Sequence, residues 1–519
     1  MEKSLPLLQG TITLEDALRD DENVIQKLQY PERRAIFYVY LYRRRAHISK
    51  LVSRHLNLPL TSFRLGQIKE WVHGSFNVCI PIHIKPSQPG LPEKAIIRFA
   101  LPYKTGDEHF FGNADEKVRC EAATYLWLQQ NCPDVPIPRL YGFGFPGSRS
   151  FTAVTHERFY NRVRWLFQRF MAWLFGENLP HYFSHRRKHL KEVAYLVIEH
   201  VAEGRALSET WQEHHDDPIR RAGLFKDLSR IMLSIAKIPQ PRIGSWTIDN
   251  RGMITLINRP LTVRLHQFEN QNIPTDVPRN RTYGSADGYY SDILAYHNYR
   301  MRYQPNSIHS VSDGVDQLAA LTTMRTLQPL FTDRKAREGP FVMTLTDLHQ
   351  SNIFVDDDWR ITRLIDLEWA CSRPPEMAFN PPYWLSSPRI VDSARGVEEL
   401  LGEEQESYAR RHSEFTAMFS AQEKALYSGS KDRTNILRKS WESGTFWYMQ
   451  ALDCPSALYA IFMFHIQPRF TNLDDSALDQ FNQVVVPYWD RGAEQFIAEK
   501  VRQQWEYEEQ LRELFDTAA

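Results

Sequence analysis

Side chains between Asp347 and Asp366 have the types and spacing of a phosphoryl-transfer centre. Asp347 opens the run Asp347-Leu348-His349-Gln350-Ser351-Asn352, and Asp366 follows Asn352 by fourteen residues, flanked by Ile365 and Leu367. Moving a phosphoryl group to a hydroxyl needs a carboxylate that orients the hydroxyl and accepts its proton. It also needs hard oxygen ligands that hold magnesium against the phosphates. Asp347 suits the first task; Asn352 and Asp366 suit the second. The spacing D-x-x-x-x-N, followed by an apolar-flanked Asp, is the arrangement such catalysis uses. Between the last two residues, Ile353–Val355 and Ile361–Ile365 predict a hairpin around Asp356-Asp357-Asp358, which would return Asp366 beside Asn352. The three turn aspartates read as solvated turn residues and are assigned no chemistry.

The elements that must position these residues follow from periodicity. Ile25 to Leu56 predicts helix and forms an N-terminal extension, residues 1–60. Short β-prone runs come next: Ile68–Val72, Val78–Ile84 and Ala95–Ala100, separated by Gly74-Ser75 and by the stretch Pro86–Pro92. A helix over Asp115–Gln130 ends before Pro133, and Tyr195–Val201 reads as a further strand. Three strands, a helix and a strand match the small lobe of a protein-kinase-like fold. The fold class expected is therefore α+β and two-lobed, with a small β-rich lobe over residues 61–201 and a larger, mainly helical lobe over 202–519. Residues of about 151–191 form an aromatic and basic insertion, with Val163, Phe167, Phe170, Met171 and Leu174 on one helical face. That face either packs on the body, closes over a substrate, or meets a membrane surface.

The nucleotide side is read from the small lobe. Gly74 and Ser75 lie between predicted strands, where backbone N–H groups of a turn can cradle phosphate oxygens or simply close a hairpin. On the third strand, where kinase-like enzymes place a phosphate-contacting Lys, the chain departs and carries Arg98; this is either a surface cation on an edge strand or a group that grips phosphate with two N–H groups and pairs with Glu121, the preferred helix partner over Glu116. Ile198-Glu199-His200-Val201 is the expected hinge, meeting adenine through backbone, so Glu199 and Val201 join the nucleotide-binding set.

The phrase Leu345–Asn352, the stretch Ile365–Ala370, the helix Glu116-Lys117-Val118-Arg119-Cys120-Glu121 and the run Val135-Pro136-Ile137-Pro138-Arg139-Leu140-Tyr141-Gly142 resemble the aminoglycoside-phosphotransferase-related proteins of fungi. The resemblance runs from about Phe63 to about Phe470. It implies ATP in a cleft between two lobes, Asp347 as catalytic base, and Asn352 and Asp366 as ligands of Mg²⁺. It also implies an acceptor that is aminoglycoside-, amino-alcohol- or sugar-like, which kinship of fold cannot narrow. Glu368, Trp369, Glu376, Tyr383 and Trp384 form either large-lobe core or an acidic and aromatic wall for a cationic substrate. The cluster Trp441, Phe446, Trp447 and Tyr448 reads as core.

Rival readings are set by single features. A protein kinase would need a long activation segment, yet Pro374-Pro375-Glu376 begins eight residues after Asp366, and Thr346 stands where such enzymes carry Arg. A nucleotide-binding pseudokinase or scaffold is favoured by Arg98 and the glycine-poor turn, and opposed by the intact Asp347, Asn352 and Asp366. In bulk, the 519 residues are 42% hydrophobic and 24% charged, which excludes wholesale disorder. Lys+Arg and Asp+Glu are equal at 63 each, so no global field attracts nucleic acid. The dispersed cysteines, the acidic start of the chain and the lack of a spanning apolar run point to a reducing, cytoplasmic setting. Oligomeric state is not encoded in any motif.

Overall fold

Alternation in Asn77–Ile84 builds the first layer: Val78, Ile80, Ile82 and Ile84 are buried while the residues between them are less so. The computed structural model describes residues 3–85, 91–147, 149–385, 403–429 and 431–517, so part of the Pro86–Pro92 connection lies outside the described residues. Among these residues the largest sheet has eight strands. Its order is Phe63–Leu65, Asn77–Ile84, Lys94–Ala100, Tyr195–Glu199, Leu140–Gly144, Arg149–Ala153 and Tyr182–Arg186, with Val72–His73 also paired to Asn77–Ile84. Every neighbouring pair is antiparallel.

The expected strand Ile68–Val72 is instead a 3₁₀ turn over Ile68–Glu70 followed by the short strand Val72–His73. Gln67 and Glu70 cap each other reciprocally, with the Gln67 N–H donating to Glu70 Oε2 at 2.8 Å, and this closed turn displaces an extended ladder. The strands Leu140–Gly144, Arg149–Ala153 and Tyr182–Arg186 widen the sheet beyond the expected set. The helix beside the sheet spans Asn113–Asn131 and is buried on all sides from Cys120 to Leu128.

The second part is mainly helical. Pro218–Ile235, Ala286–Tyr303, Val311–Phe331, Glu403–Leu426 and Thr445–Asp453 surround a continuous apolar core that also takes in Trp359, Trp369 and Trp384. Phe446, Trp447 and Tyr448 are buried there, as core, with Trp441 packed against them. The protein thus combines a sheet-rich part with a helical part. The N-terminal helices Val24–Arg43 and Arg45–Leu56 join the core of the sheet through Tyr30, Leu41, Ile48 and Val52. No helix among the described residues is long and apolar enough to cross a membrane.

The insertion carries a helix over Phe159–Leu174, as its periodicity predicts, but it does not pack its apolar face on the body. Only Trp165 is buried. Helical periodicity fixes that a stripe exists and leaves open which way it faces.

Candidate functional site

Strand pairing brings the chemistry together. Val342–Leu345 runs antiparallel to Ala370–Arg373 with Leu345 opposite Ala370, and the Thr346 N–H and hydroxyl both donate to the Trp369 carbonyl at 2.8 Å. The chain leaving one strand therefore faces the chain entering the other, which sets Asp347 against Asp366 to Glu368. A second pair, Ile353–Val355 with Ile361–Leu364, forms the hairpin expected around the acidic turn. Just beyond it the Ile365 N–H donates to the Asn352 carbonyl at 3.0 Å.

Asn352 is buried and its Nδ2 donates to the Asp347 carbonyl at 2.9 Å and to Asp347 Oδ2 at 3.3 Å. This commits the amide nitrogen and turns the amide oxygen the other way. Asp366 adopts the left-handed backbone region at φ 58°. Aspartate tolerates that region better than most residues, at a cost of about 1 kcal/mol, and the turn aims its carboxylate back toward the sheet.

Arg98, on Lys94–Ala100, meets it there. One guanidinium nitrogen donates to Asp366 Oδ1 at 2.6 Å and lies 3.3 Å from Glu121 Oε1, while the other donates to Glu368 Oε2. Glu368 also accepts from Asn77 Nδ2 at 2.9 Å and pairs with Lys117 Nζ at 3.1 Å; Lys117 in turn donates to Asn77 Oδ1 at 2.7 Å. Lys117 and Glu121 are one helical turn apart on Asn113–Asn131, so that helix supplies an ammonium and a carboxylate to one network. Glu116 faces elsewhere: Arg259 grips both its oxygens, at 2.9 and 2.8 Å.

The Gly74-Ser75 turn is closed by the Gly74 N–H donating to the Asn77 carbonyl at 2.9 Å, and Asn77 ties it to Lys117 and Glu368. Ser75 is exposed at its tip. Glu199 is engaged in the sheet, its carboxylate accepting from the Arg139 N–H at 3.0 Å, and Val201 lies half-buried just past the strand. Structure therefore gathers Asp347, Asn352, Asp366, Arg98 and Glu121, adjoins Gly74 and Ser75, and leaves Glu199 and Val201 outside the network. Sequence reasoning missed Lys117, Asn77 and the pairing role of Glu368. Lys117 sits four residues before Glu121 on the same helical face, the one local signal that it shares the inward side.

Charge balance explains the titration behaviour. Burial, reinforced by the Glu368 and Asp366 charges, pushes Asp347 up to about 7. Burial also raises Asp366 despite Arg98, and drives Glu121 up to about 8 with Arg98 pulling the other way. For Glu368, Arg98 and Lys117 outweigh burial and hold the carboxyl below its usual range. Neither Glu121 oxygen accepts a hydrogen bond among the described residues.

Among the described residues no three His, Cys, Asp or Glu side chains converge closely enough to hold a metal alone. Asn352 and Asp366 supply hard oxygens in number and kind suited to Mg²⁺, whose remaining positions are ordinarily filled by phosphate oxygens and water. Asp347 borders a cavity of about 230 Å³ in the helical part, walled by Ile231, Arg264, Tyr296, Tyr383 and Trp384. Trp384 packs and lines at once: its indole N–H donates to the Leu348 carbonyl at 2.7 Å. The acidic wall drawn from sequence is not formed by Glu368, which is spent on Arg98 and Lys117, nor by Glu376, which accepts from the Tyr290 hydroxyl at 2.9 Å. Those two residues and Trp369 are packed interior.

No family model and no curated protein matches the chain. Among solved structures it is similar to a macrolide 2'-phosphotransferase type I at 9% identity and a TM-score of 0.32, covering 82% of this chain and 90% of that one.

Proposed function

We propose that the protein is an ATP-dependent phosphotransferase that moves the γ-phosphoryl group to a hydroxyl of a small molecule of the aminoglycoside, amino-alcohol or sugar type. The observation that carries this reading is the placement of Asp347, anchored by Asn352, between a cavity on one side and the Asp366–Arg98 cluster on the other. In this reading Asp347 accepts the proton of an acceptor hydroxyl entering from the cavity, and its carboxyl, near 7, is balanced between the two protonation states at neutral pH. Asn352 and Asp366 would hold Mg²⁺, which neutralises charge on the phosphates of ATP. Arg98 exchanges part of its carboxylate pairing for phosphate oxygens, a task its planar fork suits. Glu121 holds that fork from behind, and Asn77 holds the Gly74-Ser75 turn over the same place.

A second reading, a nucleotide-binding protein without transfer activity, is favoured by one observation: Arg98 already has three carboxylates around it. Labelled ATP with Mg²⁺ and a panel of amino-alcohols, aminoglycosides and sugars separates the two. Transfer to an acceptor, or slow ATP hydrolysis, should fall by about 10²- to 10⁴-fold in Asp347→Asn and in Asp366→Asn. Asn is chosen at 366 because it tolerates the left-handed backbone. Turnover unchanged by both substitutions would remove the catalytic reading, and ATP binding without any turnover would establish the second.

A further inference from the structure

The helix Phe159–Leu174 presents its apolar residues to solvent. At roughly 100° per residue, Phe159, Val163, Leu166, Phe167, Phe170 and Leu174 fall on one stripe. Their exposure runs from 48% at Val163 to 81% at Phe159; Trp173 borders the stripe at 69%, and Phe175 is exposed at 77% just past the helix end. Trp165 marks the opposite pole, buried with its indole N–H donating to the Pro180 carbonyl at 3.0 Å. A contiguous surface of this size on a monomer marks a contact site.

Cations border the stripe on both sides. Arg164 lies on one flank and Arg162 and Arg169 on the other, all exposed. They lean toward the base of the helix: Arg162 Nε donates to the Glu157 carbonyl at 2.7 Å, and Arg169 lies 3.0 Å from His181 Nε2. From Arg158 to Gly176 the sequence holds no acidic residue. The neighbouring Glu157 is buried with both oxygens engaged, one by the Asn161 amide at 2.6 Å and the other by His185. The helix is carried between Arg149–Ala153 and Tyr182–Arg186, the last pair of strands at one end of the sheet.

We propose that this helix is a docking site for an anionic lipid surface, lying in the interface with the Phe167 stripe among the acyl chains and Arg162, Arg164 and Arg169 at the headgroup phosphates. An aromatic and aliphatic stripe with arginine on each flank is the pattern of an in-plane amphipathic helix. Charge disfavours a second copy of the chain, because two such faces brought together would set three arginines of each against three of the other, with Glu177 just past the helix end, already near Arg251, the one exposed carboxylate beside the face among the described residues. An anionic surface complements both flanks at once. The assignment stands whatever reaction the site near Asp347 performs.

Flotation of the full chain with vesicles provides the test. Binding is expected to phosphatidylcholine vesicles that contain phosphatidylserine, falling as salt is raised, and to be weak on phosphatidylcholine alone. Removing the three flanking charges in Arg162→Gln/Arg164→Gln/Arg169→Gln should lower partitioning by about 100-fold, at about fivefold per arginine. Phe167→Ser/Trp173→Ser should abolish it on either vesicle, and an unchanged thermal midpoint shows that these exposed substitutions leave the fold intact. The proposal is overturned by wild-type protein that stays with the buffer at low salt, or by equal flotation of the serine variant. It is likewise overturned by a lipid-free dimer in sedimentation that the serine variant dissolves while vesicles remain bare.

Discussion

Asp347 shows how far a single residue can be read from its surroundings. Its half-buried carboxyl is pushed up to about 7 by desolvation and by the Glu368 and Asp366 charges, which repel a further negative charge. Two consequences follow with opposite signs. With Asp347 as the base of the proposed reaction, it must be deprotonated to accept a proton, so kcat/KM should rise with pH through about 7 and level off above it, a limb absent from Asp347→Asn. Stability runs the other way. A carboxyl whose folded value lies above its unfolded one favours the folded state when protonated, so its contribution is complete below the unfolded value and is lost as pH climbs through the folded one. Asp347→Asn should therefore raise the unfolding free energy at pH 8 by an amount of order 1 kcal/mol and leave it little changed at pH 4, measured by urea titration. Arg98 gives the complementary case. It neutralises Asp366 and Glu368 and stands beside Glu121, so Arg98→Met leaves buried carboxylates uncompensated and should cost about 3–5 kcal/mol at neutral pH. A Met variant as stable as wild type would mean that the guanidinium contributes nothing net. Asp347, Asn352 and Asp366 were legible from sequence because their relation is set by a hairpin of nearby residues. Lys117 and Asn77 were not, because their partner Glu368 lies about 250–290 positions away in sequence and no local pattern announces it.

The helix Asn113–Asn131 is the element on which the site depends, because it is pinned at two places by charge. Its Lys117 and Glu121 face the sheet and the segment Asp366–Glu368, whereas Glu116 turns toward Arg259, Arg279 and Asn258 in the second part of the chain. Arg259 also binds Glu269, so the helix is held through a buried network rather than by propensity. Despite burial, the partners His266 and Arg259 hold Glu116 far below the usual carboxylate range. A depressed folded value means that the stabilisation is present above the unfolded value and lost as pH falls through and below it. Glu116→Gln should accordingly cost about 3–5 kcal/mol near pH 7, and the gap between variant and wild type should narrow as wild type is titrated toward acid. A pH-independent gap would assign the loss to packing instead. Because Glu121 should shift with the helix, the proposed phosphotransferase reading has the same variant raise KM for ATP more than it lowers kcat. Helix existence was legible here from apolar spacing, and so was the choice of Glu121 over Glu116 as the partner of Arg98. By contrast, Leu140–Gly144, Arg149–Ala153 and Tyr182–Arg186 are each five residues long and separated by proline, glycine and a helical insertion, so period-two alternation had too few positions to declare itself.

At the scale of the molecule, the N-terminal extension works as a brace between the two parts and not as an appendage. Tyr30, Leu41, Ile48 and Val52 share a core with Val78 and Ile80 of the sheet. The same segment reaches the helical part: Gln26 donates to the Asn270 carbonyl at 2.5 Å, and Gln304 donates to the Asp21 carbonyl at 2.6 Å. Asn306 reaches the Asp20 and Glu22 carbonyls, each at 3.1 Å. A separate apolar cluster joins Ile12, Ala17 and Val24 to Tyr507, Leu511 and Phe515 on the last helix, Ala493–Thr517, where the Tyr507 hydroxyl accepts from the Val24 N–H at 2.8 Å. The sequence reading treats residues 1–60 as one helical extension; what it could not contain is the partner, because the cluster closes over almost the whole chain length. If the segment braces both parts, Leu511→Ala should cost about 2–5 kcal/mol of global stability by opening a cavity in that cluster. The loss should appear in one cooperative transition followed by tryptophan fluorescence. Hydrogen exchange should then accelerate in Asn77–Ile84 and in Ala286–Tyr303 together, since the brace touches both the sheet and the helical part. An early, separate transition confined to residues 3–24, with the main transition unmoved, would show instead that the N-terminus only covers the surface and that the site near Asp347 is held by the helix Asn113–Asn131 alone.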